Sequence, residues 1–173
     1  AGLDDRMRAR FLALAAYAID TGAQGILFTC SAFGPCIDAV AARWPGIPVL
    51  KPNEAMIDDA VRAATDGGRR GRIGLVATFV PTLSSMPAEF PSGVEVIPVL
   101  AEGALDALDA GDVATHDRLA AEAARTAHAL GCDVIVLAQF SLARAAPAVE
   151  RAVPLPVLTT AASAARRLRS RLE

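Results

Sequence analysis

The residues of this sequence best placed to do chemistry lie in one octapeptide, Thr29-Cys30-Ser31-Ala32-Phe33-Gly34-Pro35-Cys36. A compact apolar run, Ile26-Leu27-Phe28, precedes it behind Gly25. That pattern suits a buried parallel strand delivering its carboxyl end into a loop. In parallel α/β sheets such loops line the ligand crevice, and the helix that follows points unsatisfied N–H groups at it. The location favours bound carboxylates and favours a thiolate over a thiol. A thiolate there serves as a base or as a nucleophile. The competing role for any free cysteine is packing, because the side chain is a small hydrophobe that is often buried. The hydroxyl neighbours Thr29 and Ser31 favour chemistry for Cys30.

The remaining reactive residues read differently. Cys36 falls within or beside the next helix and is expected to pack. Cys132 precedes a strand at its amino end, away from the crevice, and is expected to be structural. Three cysteines in unlike contexts with no CxxC argue against a disulfide framework or a zinc site. The only histidines, His116 and His128, fall on one long helix and are expected at the surface or in an interface, so a Cys-His hydrolase triad has no support. No GxGxxG, Walker loop or HExxH is present.

The elements that must position Cys30 follow from periodicity. Met7, Phe11, Leu14, Ala15 and Ala18 recur at helical spacing and Gly22 is placed to end that helix. After the first strand the pattern gives a short helix through Val40, a strand over 47–50, a helix over 53–64 and a basic Gly-rich loop over 67–71. Strands then begin at Arg72, Val94, Asp133 and Leu155. They are separated by a short helix after Pro81, a long Ala-rich helix through Leu130 and a helix over 142–151, and an Arg-rich helix follows the last. Strands alternating with helices imply a mainly parallel sheet.

The alternation also repeats. The segment from Gly22 to Ser31 aligns with Gly131 to Phe140 at an offset of 109, each running from a helix-ending Gly through a strand into a polar turn. Ile47-Pro48-Val49-Leu50 aligns with Leu155-Pro156-Val157-Leu158 at 108. Two matches at nearly one offset suggest duplicated halves. The second half has four candidate strands and the first shows counterparts of only the last two, so a native chain longer by two strands and a helix at its amino end is expected.

At 173 residues and 53% hydrophobic, the chain can build a substantial core. A formal net charge of −2 offers no field for nucleic acid or an anionic membrane, leaving a small molecule as the expected partner. No apolar run approaches the roughly 18 residues of a membrane span, and the amino end reads as a charged amphipathic helix, so the expected compartment is cytoplasmic. A second copy of the chain is the expected protein partner, forming a homodimer through Ala-rich helical faces. The cluster Arg166, Arg167, Arg169 and Arg171 is better read as a solvated helix end with its cations near the carboxyl terminus.

TCSAFGPC, matched by Gly131-Cys132-Asp133-Val134-Ile135-Val136-Leu137-Ala138-Gln139-Phe140-Ser141 in the second half, resembles the aspartate/glutamate/hydantoin racemase family. Val49 to Ala55, Leu75 to Thr78 and Pro156 to Thr159 support the resemblance, which spans nearly the whole chain. It implies an α/β fold of two pseudosymmetric lobes, each with a mainly parallel four-stranded sheet flanked by helices, around one cleft. Residues 1–66 would be the remainder of a first lobe truncated at its amino end, and 67–173 the second lobe. The resemblance implies no cofactor and no metal: one thiolate removes the proton alpha to a carboxylate or carbonyl, and a second thiol returns a proton to the opposite face.

Carried over by residue, Cys30 takes the first-lobe cysteine position, and Thr29 and Ser31 that of its carboxylate-binding neighbours. Thr78 and Thr82 correspond to the polar loop after the first strand of the second lobe. Gln139 occupies the second cysteine position. A glutamine amide cannot accept and return a proton near neutral pH, so two-thiol racemisation has lost one partner. Gln139 can still hydrogen-bond a carboxylate or an enediolate, with Phe140 as an apolar wall and Ser141 as a further donor.

Several functions therefore stay open. One is a racemase- or isomerase-like enzyme acting on an amino acid, a hydantoin or a related small acid, with Cys30 as base and a second acid from water or a preceding segment. Another is a one-cysteine lyase resembling arylmalonate decarboxylase, a relative whose cysteine lies in the other lobe. A nucleophilic Cys30, as in the similar maleate isomerases, meets the objection that those enzymes normally carry two cysteines. From another class, the chain is a retired enzyme that only binds carboxylates.

Overall fold

A computed structural model describes residues 4–173. Helix α1 (Asp5–Asp20) starts at Asp4, whose carboxylate accepts the N–H of Met7 at 2.8 Å as an N-cap. It leads to β1 (Ile26–Leu27), a 3₁₀ turn (Ser31–Phe33), α2 (Gly34–Arg43), β2 (Val49–Leu50) and α3 (Glu54–Thr65). Next come β3 (Arg72–Ala77), α4 (Val80–Ser85), β4 (Glu95–Leu100), α5 (Ala104–Asp109) and α6 (Val113–Ala129). The chain finishes with β5 (Val134–Leu137), a 3₁₀ segment (Phe140–Ala145), α7 (Ala146–Ala152), β6 (Val157–Thr159) and α8 (Thr160–Leu172).

Two compact units divide these elements. One holds the described residues up to Glu54 together with Ala164–Glu173; the other is Ala55–Ser163. The backbone passes from one to the other inside α3 and again inside α8.

In the first unit β1 and β2 pair in parallel, Ile26 with Val49 and Leu27 with Leu50. Phe11 of α1 stacks on Phe28 with ring centroids 5.2 Å apart and meets Phe33 at 5.1 Å. Those two rings bracket Thr29, Cys30 and Ser31, so α1 anchors both ends of the cysteine turn. The buried line of α1 runs through Ala15, whereas Leu14 is 63% exposed. Leu14 was expected in the apolar stripe but falls to its side, towards the exposed Tyr17.

In the second unit four parallel strands lie in the order β4-β3-β5-β6. The sheet is covered on both faces. Met56, Ile57, Ala60 and Ala64 of α3 and Met86 join Ile73, Leu75 and Val134 in one apolar cluster. Ala120, Ala123, Ala124 and Ala127 of α6 join Val76, Ile135 and Leu137 in the other. Fully buried, near-continuous apolar strands are what a parallel sheet covered on both faces demands. The alanines let α6 approach closely: a Cβ on Gly74 of β3 would come within 2.8 Å of the Ala127 Cβ.

Two further expectations change. The long Ala-rich helix is two helices, broken around Gly111 and restarted by Asp112, whose side chain accepts the N–H of Thr115 at 3.0 Å. His116, expected at the surface or in an interface, is wholly buried on the alanine face of α6, while His128 is exposed. Its position four residues before Ala120 puts it on the stripe that packs inward.

The internal repeat is carried into backbone geometry. Gly22 and Gly131 both have positive φ, at 96° and 79°, and end α1 and α6 in the same way. Ala23 N–H reaches Ala18 C=O as Cys132 N–H reaches Ala127 C=O, and Ile26 N–H reaches Pro48 C=O as Ile135 N–H reaches Pro156 C=O. Ile135 pairs with Val157 and Val136 with Leu158, the register of β1 with β2.

Candidate active site

Cys30 and Gln139 occupy equivalent backbone positions. Each precedes a 3₁₀ turn, each has φ −134°, and ψ is 118° at Cys30 and 147° at Gln139. Each turn runs into a helix with Pro in its first turn, α2 and α7 respectively. A polar residue leaves the carboxyl end of a parallel strand at both places, the position from which such sheets present chemistry.

In the first unit Thr29, Cys30 and Ser31 are all exposed, and Cys30 is a free thiol at the start of its turn with no capping bond from its side chain. Cys36 and Cys132 are buried free cysteines, one on α2 and the other just before β5. Burial pushes the Cys132 thiol up from its ordinary value, against the pull of the Arg72 guanidinium, the direction of a packing cysteine. Lys51, just past β2, meets Asp38 at 2.7 Å and Glu54 at 3.8 Å.

In the second unit Gln139 and Thr78 are joined. Thr78, buried directly after β3, donates its backbone N–H to Gln139 Oε1 at 2.6 Å and its hydroxyl to the same oxygen at 3.0 Å. A backbone N–H can only donate, so the atom facing it must be the amide oxygen. The NH₂ end of the half-buried Gln139 is thereby turned from Thr78 and is the end that can meet a ligand. With its oxygen so occupied, the Gln139 amide has N–H groups left that are able to donate to an anionic oxygen. Phe140 is half-buried and Ser141 exposed in the 3₁₀ segment that follows; Thr82 is half-buried on α4.

A clasp holds that 3₁₀ segment to α6. Arg144 Nε donates to Asp117 Oδ1 at 3.1 Å, and His116 Nδ1 lies 2.8 Å from the same oxygen. Burial pushes the Asp117 carboxyl up, but the hydrogen bonds from His116 and Arg144 and their charges outweigh it and hold the carboxyl below its ordinary value. Sequence reading missed this group because Arg144 and Asp117 are 27 residues apart. It quoted Thr159 but gave no site role to Thr159 or Thr160 at the end of β6, which are buried; Thr159 Oγ1 accepts the N–H of Ala162 at 3.1 Å. Paired threonines directly after an apolar strand were the available signal. Among the described residues no group of three or more His, Cys, Asp or Glu is arranged to hold a metal ion.

The chain's likeness to known proteins agrees with this architecture. Residues 4–168 match the family described as Asp/Glu/Hydantoin racemase. No curated protein matches the sequence. Among solved structures, unliganded arylmalonate decarboxylase superposes with a TM-score of 0.70 at 18% identity, over 98% of this chain and 76% of that one. Allantoin racemase from Klebsiella pneumoniae gives 0.68 at 23% identity, over 95% and 65%. Glutamate racemase from Francisella tularensis subsp. tularensis SCHU S4, in complex with D-glutamate, gives 0.64 at 17% identity, over 95% and 64%. At these identities the likeness is one of fold, and the chain spans less than two thirds of the length of the allantoin and glutamate racemase chains. With nearly all of its residues inside the family match, an α/β fold of parallel sheets and the strand-end turns in place, the chain belongs to the Asp/Glu/hydantoin racemase family.

Proposed function

We propose that the chain serves a cofactor-independent, isomerase-type enzyme that moves the proton alpha to the carboxylate of a small acid, with Cys30 as the acid/base. The supporting observation is the unequal pair at equivalent positions: a free, exposed thiol at Cys30 and, at Gln139, an amide whose oxygen accepts from Thr78 and whose N–H groups are left to donate. The Cys30 thiolate takes the Cα proton, the C–H electron pair moves into the carboxylate, and an enediolate forms. The N–H groups of Gln139 hydrogen-bond the oxygen on which charge develops, and the Cys30 thiol then returns a proton to carbon. Thr29 and Ser31 are the carboxylate-binding neighbours of Cys30 in this reading, with Thr82, Phe140 and Ser141 as further substrate contacts. Inversion needs an acid on the opposite face, and that acid is water or a group outside this chain, because an amide does not exchange a proton at neutral pH.

That the free end of Gln139 can donate hydrogen bonds but cannot exchange a proton favours a second reading, decarboxylation of a substituted malonate. There the C–COO⁻ bond breaks, carbon dioxide leaves with no proton removed, and the resulting enediolate takes one proton from Cys30, which is reprotonated by water. One thiol then suffices.

Proton NMR in deuterated water, with amino acids, hydantoins and substituted malonates beside a Cys30→Ala control, tests both. Alpha-proton exchange lost in the Ala variant supports the isomerase-type reading. Carbon dioxide release with deuterium on one face supports the lyase. Turnover by Cys30→Ala equal to wild type removes Cys30 from the mechanism, and binding without any turnover makes the chain a carboxylate-binding protein.

A further inference from the structure

We infer that Arg144, Asp117 and His116 are positioning residues for Gln139, holding the turn that begins there at the angle from which its free N–H groups meet an anion. The inference rests on the proposed role of Gln139 and adds what sets its aim. Gln139 precedes the 3₁₀ segment Phe140–Ala145, and its C=O accepts the N–H of Leu142 at 3.1 Å, so its backbone moves with the turn. Three residues make one turn of such a segment. Leu142 and Ala145, both wholly buried, therefore lie on one side, and Ser141 and Arg144, both exposed, on another. The buried pair pins one side but leaves the segment able to rock about the line that joins them. The bond from Arg144 Nε to Asp117 Oδ1, at 3.1 Å, opposes that rocking from the other side.

Asp117 is itself fixed. An ionised carboxylate only accepts, so the His116 Nδ1 that lies 2.8 Å from the same oxygen carries the proton. The other ring nitrogen, Nε2, is then a bare acceptor, buried with no hydrogen-bond partner among the described residues. A buried acceptor without a donor costs stability that an apolar side chain of similar size would not. The ring is therefore kept for its bond to Asp117 and not for packing. The repeat points the same way. At the offset of 109, His116, Asp117 and Arg144 correspond to Met7, Arg8 and Pro35, which cannot form such a set. The turn after Cys30 is tied instead by Phe11 of α1 against Phe33. The polar clasp belongs to the half that carries the amide, whose direction matters because only its N–H end donates.

Proton–nitrogen correlation NMR of the isotopically labelled chain tests this through the side-chain amide signals of Gln139. The sequence has only two glutamines and one asparagine, so those signals are identified by their absence in Gln139→Leu. In the wild type they are expected to shift as acetate is added. Arg144→Gln and Asp117→Asn are each expected to draw them towards the positions of a free glutamine amide and to weaken acetate binding on the order of fivefold. The double variant should be no worse than the worse single, because both cut one contact. Arg144→Lys, which keeps charge and a donor, should recover part of the loss. Arg118→Gln, which removes the exposed pair with Glu122 on the same helix, should change neither readout. His116→Met removes the orphaned nitrogen together with the bond to Asp117, so the melting temperature should hold while the Gln139 signals move; the reverse pattern strikes His116 from the set. Gln139 signals that stay in place in both Arg144→Gln and Asp117→Asn overturn the inference, whatever the acetate affinity. Signals that move in those variants but ignore acetate in the wild type uphold the clasp as the positioning device and remove Gln139 as the anion donor.

Discussion

At the residue scale the informative contrast is between a side chain that can exchange a proton and one that cannot. Gln139 is held by two donors on a single oxygen, so changing the charge of that side chain without changing its shape isolates what its free end does. Gln139→Glu keeps an acceptor for both Thr78 bonds and replaces the NH₂ donor by an anionic oxygen. Its melting temperature should stay within a few degrees of wild type, whereas acetate binding at neutral pH should fall at least tenfold. Affinity should recover as pH drops and the new carboxyl takes a proton, because a protonated carboxyl donates again; a titration across pH 4–8 reads both limbs. Unchanged acetate affinity at pH 7 would show that the amide's free end does not face the anion. The position of Gln139 was legible in the sequence through the repeat that gives it the place in the second half that Cys30 has in the first. Its orientation was not, because the group that fixes it lies 61 residues away on another strand.

Elements set where those residues stand, and the long-range clasp is the clearest case. Asp117 on α6 receives Arg144 from the 3₁₀ segment that follows Gln139, across 27 residues of chain. The Asp117 carboxyl is held below its ordinary value, so it is more acidic folded than unfolded. The stability it contributes is therefore fully present above the ordinary carboxylate range and is lost as pH falls through the depressed folded value. Asp117→Asn is expected to cost about 1–2 kcal/mol at pH 7 and progressively less towards pH 3, measured by urea unfolding at several pH values. A cost that does not shrink on acidification would assign the effect to packing instead. Sequence patterning was faithful where periodicity was strong: the strands at Arg72, Val94, Asp133 and Leu155 each formed within two residues of the expected start. It failed where local and tertiary signals compete. The Ala-rich run reads as one helix until Gly111 and the Asp112 cap divide it, and a histidine on an alanine stripe carries no mark in the sequence that it will be buried.

For the molecule as a whole, the first unit is assembled from both ends of the described chain, whereas the second is one continuous stretch, Ala55–Ser163. Gly25, just before β1, has no room for a Cβ because Leu168 of α8 would lie 2.8 Å from it and Leu172 3.5 Å. Deleting 164–173 should therefore expose amide protons of β1 and β2 to hydrogen exchange while those of β3 and β5 stay protected; equal loss in both sheets would show that the units do not unfold separately. The same discontinuity sets an order of events during translation. As the chain leaves the ribosome, the Ala55–Ser163 sheet can close once β6 has emerged, but β1, which leads into the cysteine turn, must wait for α8, whose Leu168 lies against Gly25. An exposed thiol is thus the last reactive group to acquire its setting, and nascent chains stalled before Leu168 should be trapped by thiol-directed reagents at Cys30 faster than the finished protein.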